Sequence, residues 1–340
     1  MERREFLRAG GALALFFTVA ARAADRNAAG ASTPPTAGAA RSAGTSATAA
    51  AAAAAVEASA FAAARRFADL SFGRIAYVER GKGEAALFLH GAPLNGYQWR
   101  GAMARLAAHR RCIAPDFMGL GYSQVPEQQP LAAGDQVEML AALMDKLGIK
   151  RADLVASDSG GAVAQLFMVR YPERVRTVML TNCDVETNSP PAAIKPVLDM
   201  ARDGTLADMT AVWLTDREKA RATFGAAVFH NPASLADATI DYYVTPLVST
   251  PLRRTQYHAF HLALTPNPLA GIEASLKRSQ IPVRMVWGGS DNIFTMADAR
   301  YLDGLFPRSQ GIREVPDGKL FFQEEYPDII AEEALRLWRT

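Results

Sequence analysis

The chain is poor in cysteine, nearly balanced in charge and sparing with histidine, and each scarcity narrows what it can be. Two cysteines in 340 residues, Cys112 and Cys183, are too few for a disulfide framework. Both sit in apolar runs, where cysteine behaves as a small hydrophobe, so they are read as structural rather than reactive thiols. A net charge of +2 excludes the electrostatic footprint of a nucleic-acid or anionic-membrane partner. No His/Cys cluster or phosphate loop is present, so neither a metal nor an organic cofactor is expected. No histidine follows His261. What the chain does have is 49% hydrophobic residues against 21% charged, the balance of a soluble globular protein with a sizeable core.

The N-terminus is organised as an export signal. Arg3-Arg4-x-Phe6-Leu7 precedes an apolar run from Ala9 to Ala21, about a dozen residues and too short to span a bilayer. Ala21-Arg22-Ala23 follows as a small-x-small cleavage site. The paired arginines resemble the twin-arginine export signal, with Glu2 where that signal carries Ser or Thr. Residues 1–23 are thus expected to be removed, leaving an exported, periplasmic protein with no stable membrane span. An ordinary signal or an uncleaved anchor is the alternative. Residues 24–66 are Ala, Thr, Ser, Gly and Pro with almost nothing to bury, which predicts a disordered linker.

After Phe67 the pattern becomes regular. Short apolar runs read as strands at Arg74–Arg80, Ala85–His90, Arg111–Pro115, Ala152–Ala156, Val175–Thr181, Pro282–Trp287 and Gly311–Val315. Helix-length segments such as Asp135–Leu147 and Gly160–Tyr171 alternate with them. That alternation implies an α/β fold, a mostly parallel sheet covered on both faces. From about residue 184 to 279 the alternation stops, and helix-like apolar spacing, Pro breaks and aromatics read as an inserted helical cap.

Three segments carry a family resemblance. Leu87-Phe88-Leu89-His90-Gly91-Ala92-Pro93 closes a buried strand with an HGxP turn. Asp116-Phe117-Met118-Gly119-Leu120-Gly121-Tyr122-Ser123 matches a DxxGxGxS loop. Leu154-Val155-Ala156-Ser157-Asp158-Ser159-Gly160-Gly161-Ala162 runs strand, sharp turn, helix. Together, over residues 67–340, they resemble the α/β-hydrolase superfamily, which implies an eight-stranded sheet and a nucleophile elbow. Small residues flank Asp158 (Ala156, Gly160, Gly161) and also Ser159 (Ser157, Gly161, Ala162). The wider flanks place Asp158 at the apex, with Ser159 as the alternative. An aspartate there resembles the haloalkane dehalogenases and epoxide hydrolases, in which the carboxylate forms an ester that water then hydrolyses. The resemblance further implies an oxyanion hole from the N–H groups of Ala92 and Ser159, and Asp291 as the acid after the next-to-last strand. It also places Cys112 and Cys183 three strands apart, too far to bridge.

The superfamily's histidine belongs to a G-H-x-x-x-x-E-x-P stretch. Here the corresponding Gly318–Pro327 contains none, and Lys319 is read as its replacement. A lysine between Asp158 and Asp291 is expected to be a protonated ammonium, suited to holding an anion and poor at activating water. The leading function is hydrolysis of a small organic substrate, of epoxide, halide or ester type, through Asp158 with Asp291 and Lys319. A lyase or isomerase moving protons with Asp158 and Lys319, a silent ligand-binding protein, and a merely structural Lys319 ion pair remain open. His258 or His261 reaching down from the cap is another candidate base. Ser159 and Ala92 offer no side-chain N–H donor for a halide, which argues against simple haloalkanes. Tyr257 with Tyr242 or Tyr243 are candidate donors to an epoxide oxygen, and Trp99 and Trp213 candidate pocket-wall residues. His90 is read as supporting the HGxP turn, with a pocket position as the alternative. A small molecule is the expected partner; substrate identity and oligomeric state are not legible in the sequence.

Overall fold

A computed structural model of the chain describes residues 37–340, with side chains from residue 49 onward. The proposed export signal and the start of the linker lie outside the described residues. Eight strands form one sheet: β1 (Arg65–Leu70), β2 (Gly73–Arg80), β3 (Ala85–Leu89), β4 (Arg111–Pro115), β5 (Ala152–Asp158), β6 (Val175–Cys183), β7 (Val283–Gly288) and β8 (Ser309–Val315). Their order is β1-β2-β4-β3-β5-β6-β7-β8. The first two pairings, β1 with β2 and β2 with β4, are antiparallel; the remainder are parallel. Every residue of β3 and all but the last of β5 are buried, as continuous apolar strands covered on both faces must be.

The seven strands read from the sequence are present, Arg111–Pro115 with the same bounds and the other six with one or both ends moved by one or two residues. The eighth, β1, was not anticipated. Its sequence Arg-Arg-Phe-Ala-Asp-Leu buries only Ala68, because an edge strand packs on one side and carries no apolar run to reveal it.

Residues 37–66 correct the linker reading. Helix α1 (Ala37–Ala63) runs through most of that tract, and Arg65 and Arg66 open β1. Alanine has the highest intrinsic helix propensity, and one aromatic anchors the end. Phe61 is buried edge-on against Tyr97 and Tyr242, with ring centroids 5.2 and 5.9 Å away, and Ala58 is buried beside it. Glu57 accepts a 2.9 Å hydrogen bond from Arg100. The folded unit therefore begins before Phe67.

Helices α2 (Arg100–Leu106), α3 (Ala133–Lys146), α4 (Ser159–Arg170), α12 (Met296–Leu305) and α13 (Pro327–Leu337) alternate with the strands. Between β6 and β7 lies the expected cap: α5 (Lys195–Arg202), α6 (Leu206–Ala211), α7 (Arg217–Ala220), a π-helical turn (Arg221–Gly225), α8 (Ala226–Val228), α9 (Asp237–Val248), α10 (Pro251–Leu262) and α11 (Glu273–Leu276). The start of α10 is set by Thr250, whose side chain accepts from Arg253 N–H at 3.2 Å, and by Pro251 in the first turn. Its buried residues are Gln256, Tyr257, Phe260 and His261, one helical face directed at the sheet. Cys112 in β4 and Cys183 ending β6 are free and buried, separated by β3 and β5. No helix among the described residues is long and apolar enough to cross a membrane.

Candidate active site

The site begins at the turn from β5 into α4. Asp158 has φ 54° and ψ −132°, and among the described residues it is the one non-glycine with positive φ. Such a conformation costs ~1–3 kcal/mol and persists only where the surroundings impose it. Here they do. A Cβ on Gly160 would lie 2.6 Å from the carbonyl oxygens of Leu89 and His90, and one on Gly161 would lie 2.3 Å from Cys183 Cβ. The tight packing fits Asp158 at the apex of the turn, with Ser159 as the first residue of the helix.

One Asp158 oxygen accepts the Ala92 N–H at 2.7 Å, and the Ser159 N–H and hydroxyl lie close enough to favour the charged carboxylate. Gly91 passes so close that its Cβ would strike Asp158 Oδ2 at 2.7 Å. Burial raises the Asp158 pKa to about 6, and the N–H groups of Ser159 and Ala92 and the Ser159 hydroxyl oppose that rise. Asp158 is the one residue of β5 that keeps partial access, because it opens on a cavity of about 130 Å³ between sheet and cap. Mostly apolar side chains line it, among them Val197, Met200, Leu206, Phe224 and Phe321.

Two further buried carboxylates lie near enough for Asp158 to influence them. Asp291 follows β7, where it was expected. Burial pushes its pKa up to about 7, opposed by Ile293 N–H, Asn182 and Phe294 N–H. Its Oδ1 takes Ile293 N–H at 2.9 Å, and its Oδ2 takes Asn182 Nδ2 at 2.9 Å and Phe294 N–H at 3.3 Å. Asp291 is thus occupied by fixed donors and is not in the cavity wall. Asp184, unanticipated as a site residue, is in that wall. Burial and then the charge of Asp158 raise its pKa to about 7, and Ser189 Oγ donates to it at 2.6 Å. The available signal was positional: Asp184 directly follows the carboxyl end of β6, neighbour to β5, and ligands of open α/β sheets bind beyond such ends.

Lys319 does not stand between Asp158 and Asp291. Its ammonium donates to the Ala226 carbonyl at 2.6 Å, and burial lowers its pKa against the pull of Glu325 and Asp291. Leu320 and Phe321 line the cavity beside Asp158 instead. Counting from Gly318 puts the family's histidine position at Lys319; counting back from Glu325-Tyr326-Pro327 puts it at Leu320. Side-chain direction decides for Leu320. An apolar side chain thus stands beside Asp158 where the sequence reading placed Lys319, and Lys319 feels Asp291 and Glu325 only as neighbouring charges.

The other candidates divide cleanly. Tyr257, His261 and Trp213 line the cavity. Tyr257 is buried, its hydroxyl 3.2 Å from Thr210 Oγ1, with its pKa pushed up by burial. His261 pairs Nδ1 with the Tyr257 carbonyl at 2.9 Å, which assigns the proton to Nδ1, and burial lowers its pKa to about 4. Trp213 Nε1 is buried without a partner among the described residues. His90, Trp99, Tyr242, Tyr243 and His258 do not line this cavity. His90 Nε2 accepts Phe117 N–H at 2.9 Å and its Nδ1 pairs with Gly91 O, so it braces the turn. Trp99 packs on Phe88 in the core, with centroids 5.8 Å apart. Tyr242 stacks on Tyr97 at 4.5 Å and accepts from Arg65; Tyr243 donates to Glu324 at 2.8 Å. His258 accepts Ala207 N–H at 2.9 Å, capping α6. No group of His, Cys, Asp and Glu among the described residues could hold a metal ion.

Residues 87–326 match the alpha/beta hydrolase fold family. Haloalkane dehalogenase 2 of Mycobacterium tuberculosis is 28% identical over 272 residues, covering 78% of this chain and 92% of that protein. Haloalkane dehalogenase of Agrobacterium fabrum is 31% identical over 202 residues, covering 58% and 61%. Among solved structures, the epoxide hydrolase CorEH superposes with a TM-score of 0.69 at 20% identity, covering 81% of this chain and 98% of its own; at that identity the likeness is one of fold. With the sheet order, the elbow and the cap all in place, this chain belongs to the alpha/beta hydrolase fold family and is an enzyme of hydrolase type.

Proposed function

We propose that the protein hydrolyses a small, largely apolar electrophile through a covalent ester on Asp158. The observation that carries this reading is the Asp158 carboxylate itself, held at a strained turn by the Ala92 N–H, with the Ser159 N–H beside it, while facing a largely apolar cavity. A carboxylate so fixed is desolvated and aligned for attack on carbon. When water later adds to the ester, the same N–H groups stabilise the oxyanion.

An epoxide is the substrate class favoured here. Opening its ring leaves an alkoxide that needs a proton, and the Tyr257 hydroxyl is a donor on the cavity wall. The proton released when Asp158 is regenerated restores Tyr257. A second reading, an alkyl halide, is favoured by the partnerless Trp213 N–H, which suits a departing anion. Export to the periplasm belongs to the same proposal and rests on the Arg3-Arg4-x-Phe6-Leu7 signal.

The test is intact-mass measurement after mixing with 1,2-epoxybutane or 1-bromobutane, followed by peptide mapping. An adduct on the Asp158 peptide, absent from Asp158→Asn, is expected, and turnover in ¹⁸O-water should label that peptide. Product formation with neither adduct nor label would falsify the ester mechanism and favour proton-transfer chemistry. Saturable ligand stabilisation without product would identify a binding protein.

A further inference from the structure

The ester reading leaves one requirement unmet: a water must be activated beside Asp158, and the position for the usual base is Leu320. Next to the main cavity lies a second, of about 10 Å³, sized for one water and lined by Ser159, Asp184, Ser189 and Gln136 among apolar neighbours. Ser159 and Asp184 are the polar residues that line both cavities. Ser159 is only 6% exposed, and its Oγ lies beside the Asp158 carboxylate, close enough to favour its charge, but has no hydrogen bond of good geometry among the described residues. A buried hydroxyl without a partner costs ~1–3 kcal/mol, which a bridging water removes.

We propose that Asp184 is the base that activates water for release of the Asp158 ester, with Ser159 Oγ holding that water in the cavity the two residues share. The inference rests on the ester reading. In the step, a water lone pair adds to Asp158 Cγ and its proton passes to the Asp184 carboxylate. The tetrahedral oxyanion sits on Ala92 and Ser159 N–H. Its collapse breaks the bond to the substrate oxygen, which leaves as an alcohol with the proton from Asp184. Asp158 returns as a carboxylic acid and loses its proton to solvent or to Tyr257.

The alternatives are weaker on the same geometry. Asp291 is held by three donors outside the cavity wall. His261 is in the wall, but burial lowers its pKa to about 4, leaving it a feeble base near neutrality. The groups facing Asp184 are Ser189 on the next turn, Asp158 at the elbow, Asp298 on α12, and His261 and Tyr257 across the cavity. Because Asp158 is among the charges that raise the Asp184 pKa, alkylating Asp158 removes that repulsion. Ester formation thus favours the ionised form of the base, although burial still opposes it.

The experiment follows ester formation and decay by rapid quench and intact mass, in the full chain, with 1,2-epoxybutane and 1-bromobutane as probes. Asp184→Asn should form the ester and hold it about 100-fold longer than wild type. Asp184→Glu should recover part of the rate. The wild-type decay should climb with pH to a plateau, and Asp184→Asn should lose that step. Ser159→Ala, which keeps the N–H, should slow decay about tenfold; should Asp184→Asn fail to fold, this variant and Asp184→Glu carry the test. Decay within threefold of wild type in Asp184→Asn, or unchanged decay in Ser159→Ala, overturns the proposal. If no ester forms on wild type or any variant, the Asp158 reading itself fails and takes this one with it.

Discussion

Two turns at the carboxyl edge of the sheet face the same cavity and have opposite characters. The turn after β5 is dense with polar direction: a strained aspartate, two N–H groups aimed at its carboxylate, and glycines where no Cβ would fit. The turn after β8 is packed with hydrocarbon. Leu320, Phe321 and Phe322 are buried there, and its lysine is directed to a carbonyl of α8. One turn holds the groups that the proposed ester chemistry requires, while the other has no histidine to discharge such an ester. Nucleophile and base are thus separable parts of such a site, set by segments far apart in the chain.

The comparison breaks most completely at Asp158. Asp158→Asn removes the nucleophile and should lower ester formation on the order of 10⁴-fold, read as adduct rate in single turnover. A variant that still forms adduct would move the reactive group elsewhere. At the other turn, Leu320→His should speed ester decay about 10²-fold by supplying a base, whereas Lys319→His should leave it within about twofold. The reverse ranking would restore Lys319 to the family's histidine position. Tyr257→Phe should slow epoxide opening about tenfold or more and leave 1-bromobutane untouched; equal loss on both probes would make Tyr257 a packing residue.

The smallest expected effect is on stability. Burial raises Asp158 to about 6 and Asp184 and Asp291 to about 7, from 3.8 in each case. The folded chain therefore binds more protons than the unfolded chain between about pH 4 and 7. For these groups stability is greatest below that window and is lost as pH rises through it. At ~2.1 cal/mol/K of unfolding entropy per residue, each kcal/mol shifts Tm by roughly 1.5 °C in a folded unit of about 300 residues. Wild type should melt a few degrees higher at pH 5.5 than at pH 8, and Asp184→Asn should flatten the difference. An unchanged slope in the variant would show that Asp184 is not buried as a charge.

Most of the fold was legible because the information is local. Ala85–Leu89 and Ala152–Ala156 are continuous apolar runs, and His90-Gly91-Ala92-Pro93 and Asp158-Ser159-Gly160-Gly161 are short motifs with their own geometry. β1 and the docking of α1 were not legible. Arg65–Leu70 looks polar because it is an edge, and α1 is held by Glu57, Ala58 and Phe61, whose partners Tyr97, Arg100 and Tyr242 lie far along the chain.

By itself, then, the sequence determined the family and the elbow with Asp158 at its apex, since each follows from residues within a few positions of one another. Only the tertiary structure decided which side chains meet Asp158. A one-residue offset after β8 exchanges Lys319 for Leu320, a turn of α10 separates His261 in the cavity from His258 on α6, and Asp184 reaches the site only because β6 pairs with β5. Side-chain direction depends on long-range packing, and no local pattern records it.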